Sequence, residues 1–152
     1  MVEVDGSMLE GGGQILRMTV ALSAVTGIPV KVFNIRAKRE NPGLRAQHMT
    51  AIRAVASLVD AEVKGLAIGS MELTFKPRTI KGGSFKFDIG TAGSTTLVLQ
   101  SLLPAAAFAP SRVSVEIVGG TDNPLAPPVD YVIQVLRPTI AKMGYNFEVN
   151  LL

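Results

Sequence analysis

Cysteine and tryptophan are absent from this 152-residue sequence, and histidine occurs once. Without cysteine there is no disulfide framework and no thiolate metal site. Around the one histidine, His48, neither a Ser-His-Asp set nor a metal-ligand spacing can be built. Aromatic residues are only 5%, so a core must rest on Val, Leu, Ile and Ala. Long apolar runs are missing as well. The longest, Leu97 to Ala109, is broken by Gln100, Ser101 and Pro104 and falls short of the ~20 residues that cross a bilayer. No charged-then-apolar leader precedes the first motifs, so a cytoplasmic protein with no membrane partner is expected.

What is present supports a folded α/β chain. Apolar residues make up 47%, and the mean hydropathy is +0.35, enough for a sizeable core. The net charge is +3. Lys31, Arg36, Lys38, Arg39 and Arg45 crowd one stretch opposed only by Glu40. Such a cluster forms either a solvated face or an anion site, and arginine suits the latter because its planar fork holds oxygens in pairs.

Two rounds of one pattern run along the chain. The first reads as a strand Val2–Asp5, a helix from Gly12 to Val25, a strand Pro29–Ile35, a helix from Leu44 to Val59, and two short strands, Glu62–Leu66 and Glu72–Lys76. In the first helix Ile15, Met18, Leu22 and Val25 recur at helical spacing as the expected core face, flanked by Gln14 and Arg17. The second round reads as a strand Ser84–Ile89, a helix through "AGSTTLVLQSLLPAAAFA", a strand Arg112–Val118, a helix from Val129 to Met143 and a final strand "YNFEVNLL". Asn41-Pro42 and Asn123-Pro124 fall at equivalent points of the two rounds. The spacing predicts a first unit over 1–80 and a second over 81–152 that lacks its last strand. A sheet one strand short leaves an open edge, which reads as a piece of a longer protein or an edge completed by another chain; the sequence favours the first.

Chemistry concentrates in "LEGGGQILR". Glycines at a strand-to-helix turn permit positive φ and close approach, and a helix start offers free N–H groups to anions. Close helix–strand packing is the plainer explanation. There is no P-loop and no G-x-G-x-x-G turn. Glu10, Gln14 and Arg17 bring an acid, an amide and a guanidinium around the turn. Gln100 lies in a helix that is apolar almost all round, which predicts burial and a need for a partner, either Thr96 or a ligand. His48 falls on the apolar stripe of its helix, where a satisfied core histidine is expected. Asp122, Asn123 and Asp130 suit turns and helix starts.

"DGSMLEGGGQILR", "IRAKRENPGLRAQH", "IGTAGSTTLVLQSLLPA" and "GGTDNPLAPPVDY" together resemble the RNA 3′-terminal phosphate cyclase family. The resemblance implies an α/β fold of α+β type built from repeated β-α-β-α-β-β units. Each is a four-stranded sheet packed on two helices, an architecture shared with the enolpyruvyl transferases. It implies three such units and an inserted domain, of which the third unit and the insert are absent from this sequence. The implied reaction uses ATP and a divalent metal, Mg or Mn, to turn an RNA 3′-phosphate into a 2′,3′-cyclic phosphodiester through adenylylated enzyme and RNA intermediates. Carried over by position, Glu10, Arg17, Arg36, Arg39 and His48 would be catalytic. Gln14, Arg17, Gln47 and Gln100 would hold the nucleotide, and Glu10 the metal. The family's nucleophilic histidine lies in a unit not present here, so the chain alone is expected to be inactive. RNA 3′-phosphate ends and ATP are the implied partners, with homo-oligomers open. The alternative is a non-catalytic, cyclase-like protein of ribosomal RNA processing.

Overall fold

The computed structural model describes residues 1–152 as a mixed α/β protein. Its first half alternates as expected: β1 (Val2–Asp5), α1 (Gly13–Thr26), β2 (Val30–Phe33), α2 (Ala46–Val59), β3 (Glu62–Lys64) and β4 (Leu73–Lys76). These strands form one sheet in the order β1-β2-β4-β3. β1 runs parallel to β2, whereas β4 pairs antiparallel with both β2 and β3. Alternation in VKVF and LTFK turns Val30, Val32, Leu73 and Phe75 inward, where they meet the helices.

The second half contributes β5 (Gly83–Asp88), α3 (Thr95–Ala106) and β6 (Val113–Val118). β5 and β6 form a separate two-stranded parallel sheet. A final helical segment follows as α4 (Val129–Tyr131), a π-helical stretch over Val132–Leu136, and α5 (Arg137–Ala141). The β1-α1-β2 and β5-α3-β6 segments correspond closely. Both first strands end in an aspartate that accepts an N–H two residues on, Ser7 to Asp5 at 2.9 Å and Gly90 to Asp88 at 2.7 Å. Both Asn-Pro turns put their third residue in the left-handed region, Gly43 at φ 75° and Leu125 at φ 62°.

α3 packs against both α1 and α2. One core of 20 buried residues therefore spans both halves, from Leu16, Val32 and Phe75 to Ile89, Val98 and Leu102.

Three expectations need correction. The strand expected over 145–152 does not form. The second sheet holds only β5 and β6, and no strand pairs with this segment. The second correction concerns α1. Its core face is Leu16, Val20, Ala21 and Ala24, whereas Leu22 is 55% exposed. Apolar residues follow two overlapping stripes on this helix, and only contact with the sheet, α2 and α3 selects between them. Third, Gln100 is exposed. α3 buries Val98, Ser101, Leu102 and Ala105, and no element covers the flank that carries Gln100.

Phe75 is fully buried in this shared core, while Phe108 is 66% exposed. Phe75→Ala should destabilise the chain by about 3–5 kcal/mol, and Phe108→Ala by about 0.5 kcal/mol or less. Urea denaturation of the two variants compares them directly, and equal losses would contradict the packing described.

Candidate functional site

The three consecutive glycines serve different purposes. Gly11 is in the left-handed region at φ 59° and donates its N–H to the Met8 carbonyl. Gly12 is the residue before α1, and a Cβ placed there would lie 3.2 Å from an Arg39 guanidinium nitrogen. Gly13 opens the helix. A Cβ on it would overlap the His48 ring at Nε2 and come within 3.1 Å of the Arg17 guanidinium. Close packing and positive φ therefore both apply, at different glycines.

Three basic or donor side chains thus converge on Gly12–Gly13 from three elements. Arg17 comes from the first turns of α1, Arg39 from the β2–α2 loop, and His48 from the first turn of α2. The start of α1 has no side-chain cap and no acidic residue in its first turn. Its leading N–H groups have no partner within the helix. α3 begins quite differently. Ser94 accepts from the Leu97 N–H at 3.3 Å, Gln47 Oε1 accepts from the Ser94 N–H at 3.1 Å, and the Gly120 carbonyl accepts from the Thr95 N–H at 2.9 Å. One helix start is closed by protein groups; its counterpart is open and cationic.

Arg17 is the most unusual member. It is 92% buried by its 8% exposure, its Nε has no hydrogen-bond partner, and it enters none of the protein's ion pairs. Burial lowers its pKa by disfavouring the charged form. A guanidinium keeps its charge in proteins, so the desolvation goes uncompensated within the chain.

His48 is 4% exposed. Its Nδ1 accepts the backbone N–H of Arg45 at 3.2 Å. Burial first, and then the charges of Arg36, Arg17 and Arg45, push its pKa down to about 4. The ring is therefore neutral near pH 7.

The remaining candidates separate into groups. Arg36, itself at φ 53°, donates to the carbonyls of Asn41 at 2.7 Å and Gly43 at 2.8 Å, which shapes the loop leading into α2. Burial and the nearby Arg39 and Arg45 lower its pKa. Glu10 is 91% exposed and 3.7 Å from Arg39, a pair worth about 0–1 kcal/mol. Gln14 is exposed at the start of α1. Gln47 links α2 to the start of α3. Gln100 sits on the exposed flank of α3, and Thr96, its expected partner, donates instead to the Pro127 carbonyl at 2.6 Å.

No group of three His, Cys, Asp or Glu side chains could hold a metal ion. A cavity of about 1640 Å³ lies between the β5–β6 sheet, the final helix and residues 145–152, and none of the candidate side chains lines it. No helix is long and apolar enough to cross a membrane.

Sequence reading missed the contact of Gly13 with His48 and the part played by the Arg45 main chain. The signal available was limited to a glycine at the first helical position and a histidine at the third position of the next helix.

Comparison with known proteins adds an independent line. The family model described as RNA 3′-terminal phosphate cyclase matches residues 8–152. The chain is 60% identical over 148 residues to the RNA 3′-terminal phosphate cyclase of Ignicoccus hospitalis, covering 97% of this chain and 42% of that protein. It is 59% identical over 149 residues to that of Hyperthermus butylicus, covering 98% and 42%. With that of Pyrococcus furiosus the identity is 56% over 152 residues, covering 100% and 44%. The chain thus spans less than half the length of these relatives.

The low pKa of His48 has a consequence for stability. Between its ordinary value of 6.5 and about 4, the unfolded chain takes up a proton that the folded chain does not. Stability is therefore undiminished above the upper value and falls as pH drops through this window, by roughly 3 kcal/mol in all. His48→Gln removes this component. Urea denaturation across the window should give the variant a slope shallower by up to one proton, and parallel curves would rule out a buried neutral His48.

Proposed function

The chain belongs to the RNA 3′-terminal phosphate cyclase family, and we propose that its first half binds the phosphates of ATP for an ATP-dependent cyclisation of RNA 3′-phosphate ends. The observation that carries this reading is Arg17, a nine-tenths-buried cation without a counter-ion beside an uncapped helix start. A phosphate chain placed against Gly12 and Gly13 would meet the leading N–H groups of α1, the Arg17 and Arg39 guanidinium groups and the His48 ring. These groups orient the phosphates and stabilise their charge. Arg36 works one step removed, by fixing the loop that carries Arg39.

The chemistry is that of an activated phosphate. An RNA 3′-phosphate is a poor electrophile because expelling an oxide is costly. Transfer of AMP from ATP onto it, with pyrophosphate leaving, creates a good leaving group, and attack by the adjacent 2′-hydroxyl closes the ring and releases AMP. The residues fit a divalent cation in one way only. Glu10 would supply a single carboxylate and the phosphates the other oxygens, as magnesium sites on nucleotides are built. Such an ion would neutralise phosphate charge.

His48 does not suit the role of covalent nucleophile. Its Nδ1 already accepts a hydrogen bond, so Nε2 carries the proton and offers no lone pair. We assign the AMP-accepting histidine of the reaction to another residue. Incubating the chain with radiolabelled ATP and magnesium should give no covalently labelled band on a denaturing gel. A band abolished by His48→Gln would overturn that assignment.

Arg17→Met tests the binding site itself. Replacing an unpaired buried cation by an apolar side chain of similar size should leave stability unchanged or raise it. The same change should weaken calorimetric binding of ATP by about tenfold or more. If the chain binds no ATP, or binds it equally well with methionine, the phosphate site is refuted.

A further inference from the structure

We infer that His48 is an uncharged anion-binding residue, whose Nε2–H, oriented by the Arg45 backbone N–H on Nδ1, donates to a phosphate oxygen at the start of α1. The inference rests on the phosphate-site reading above and specifies how that site is built.

Three observations carry it. The Arg45 N–H to Nδ1 hydrogen bond at 3.2 Å fixes the tautomer, because a nitrogen that accepts a proton donor cannot itself hold the proton. That leaves Nε2 as the donor. Nε2 lies against Gly13, the first residue of α1, where a Cβ would overlap it. No hydrogen bond inside the chain uses Nε2: the one side-chain bond made by His48 is through Nδ1. The Arg17 guanidinium lies against the same Gly13 and its Nε has no hydrogen-bond partner, so a second donor group stands at the same helix start.

A neutral donor suits this position better than a cation would. From α1 the ring faces Arg17, and from the loop before α2 it faces Arg36 and Arg45, the three charges that act on it. A fourth positive charge would be repelled by all three. An N–H without net charge adds a directional bond at no electrostatic cost, and it keeps that bond throughout the physiological pH range. Gly13 is the structural counterpart of this arrangement, since any side chain there would displace the ring.

The solitary histidine makes the test direct. With ¹⁵N-histidine labelling, both ring nitrogens of the chain are observed without ambiguity. In the free protein near neutral pH, Nδ1 should resonate as an unprotonated nitrogen and Nε2 as a protonated one. Adding inorganic triphosphate or ATP should shift Nε2 and its proton while the ring stays neutral. In calorimetry, His48→Phe should weaken triphosphate binding by about tenfold, and His48→Gln, a neutral amide donor, should recover most of that loss.

An Nδ1–H tautomer, conversion to imidazolium on binding, or ring signals unmoved by a ligand that binds through Arg17 would each overturn the inference. The last outcome leaves the phosphate site standing and removes only His48 from it. Absence of any triphosphate binding removes both.

Discussion

The ring of His48 occupies the space that a side chain at Gly13 would need, and this contact joins the start of α1 to the start of α2. Much of the local structure follows from it. Position 13 must be glycine, the two helices must approach at their N-terminal ends, and the Arg45 main chain must turn its N–H towards Nδ1. Arg17 lies against the same Gly13 and is buried, so its charge is held where water reaches it poorly. Burial first, and then this positive field, keep His48 neutral.

Such a cluster costs folding free energy. A desolvated guanidinium with no partner subtracts from stability, and a histidine that refuses its proton does so once the pH falls below its ordinary value. The apolar core offsets this, and it does so because it runs without a break beneath both halves. α2 and α3 share their buried faces, so the second half supports the first although its own two-stranded sheet is small. Strain is found in the same neighbourhood. Leu9, Asn34 and Arg36 all adopt positive φ, and all lie on the turns that surround the open helix start.

The order of elements in the first half was legible because apolar spacing and turn residues point the same way there. VKVF alternates, Gly27 ends α1 in the left-handed region, and α2 has a single dominant stripe that correctly includes His48. α1 was harder. Its apolar residues form two stripes, so periodicity alone placed Arg17 at the border of a face when it lies within the buried one. Gln100 failed for the opposite reason. A helix that is apolar all round predicts cover on every side, yet cover depends on neighbours that one helix's sequence does not reveal. The expected strand at 145–152 shows the same limit, since strand formation belongs to a pair of segments and a pattern describes only one. Within the site, residue types left a solvated basic face and an anion site both open, and the acceptor role of His48 Nδ1 depends on a main-chain N–H with no signature in the sequence.

Gln47 and His48 are neighbours in one turn of α2 that serve opposite ends. His48 packs on the open start of α1, and Gln47 seals the start of α3 by accepting the Ser94 N–H. The two corresponding helix starts therefore differ, one left open and the other sealed as a joint. A chimera in which the second half is replaced by another copy of the first would lose the joint, and would gain an exposed pole of positive charge that α2 has no side chain left to quench.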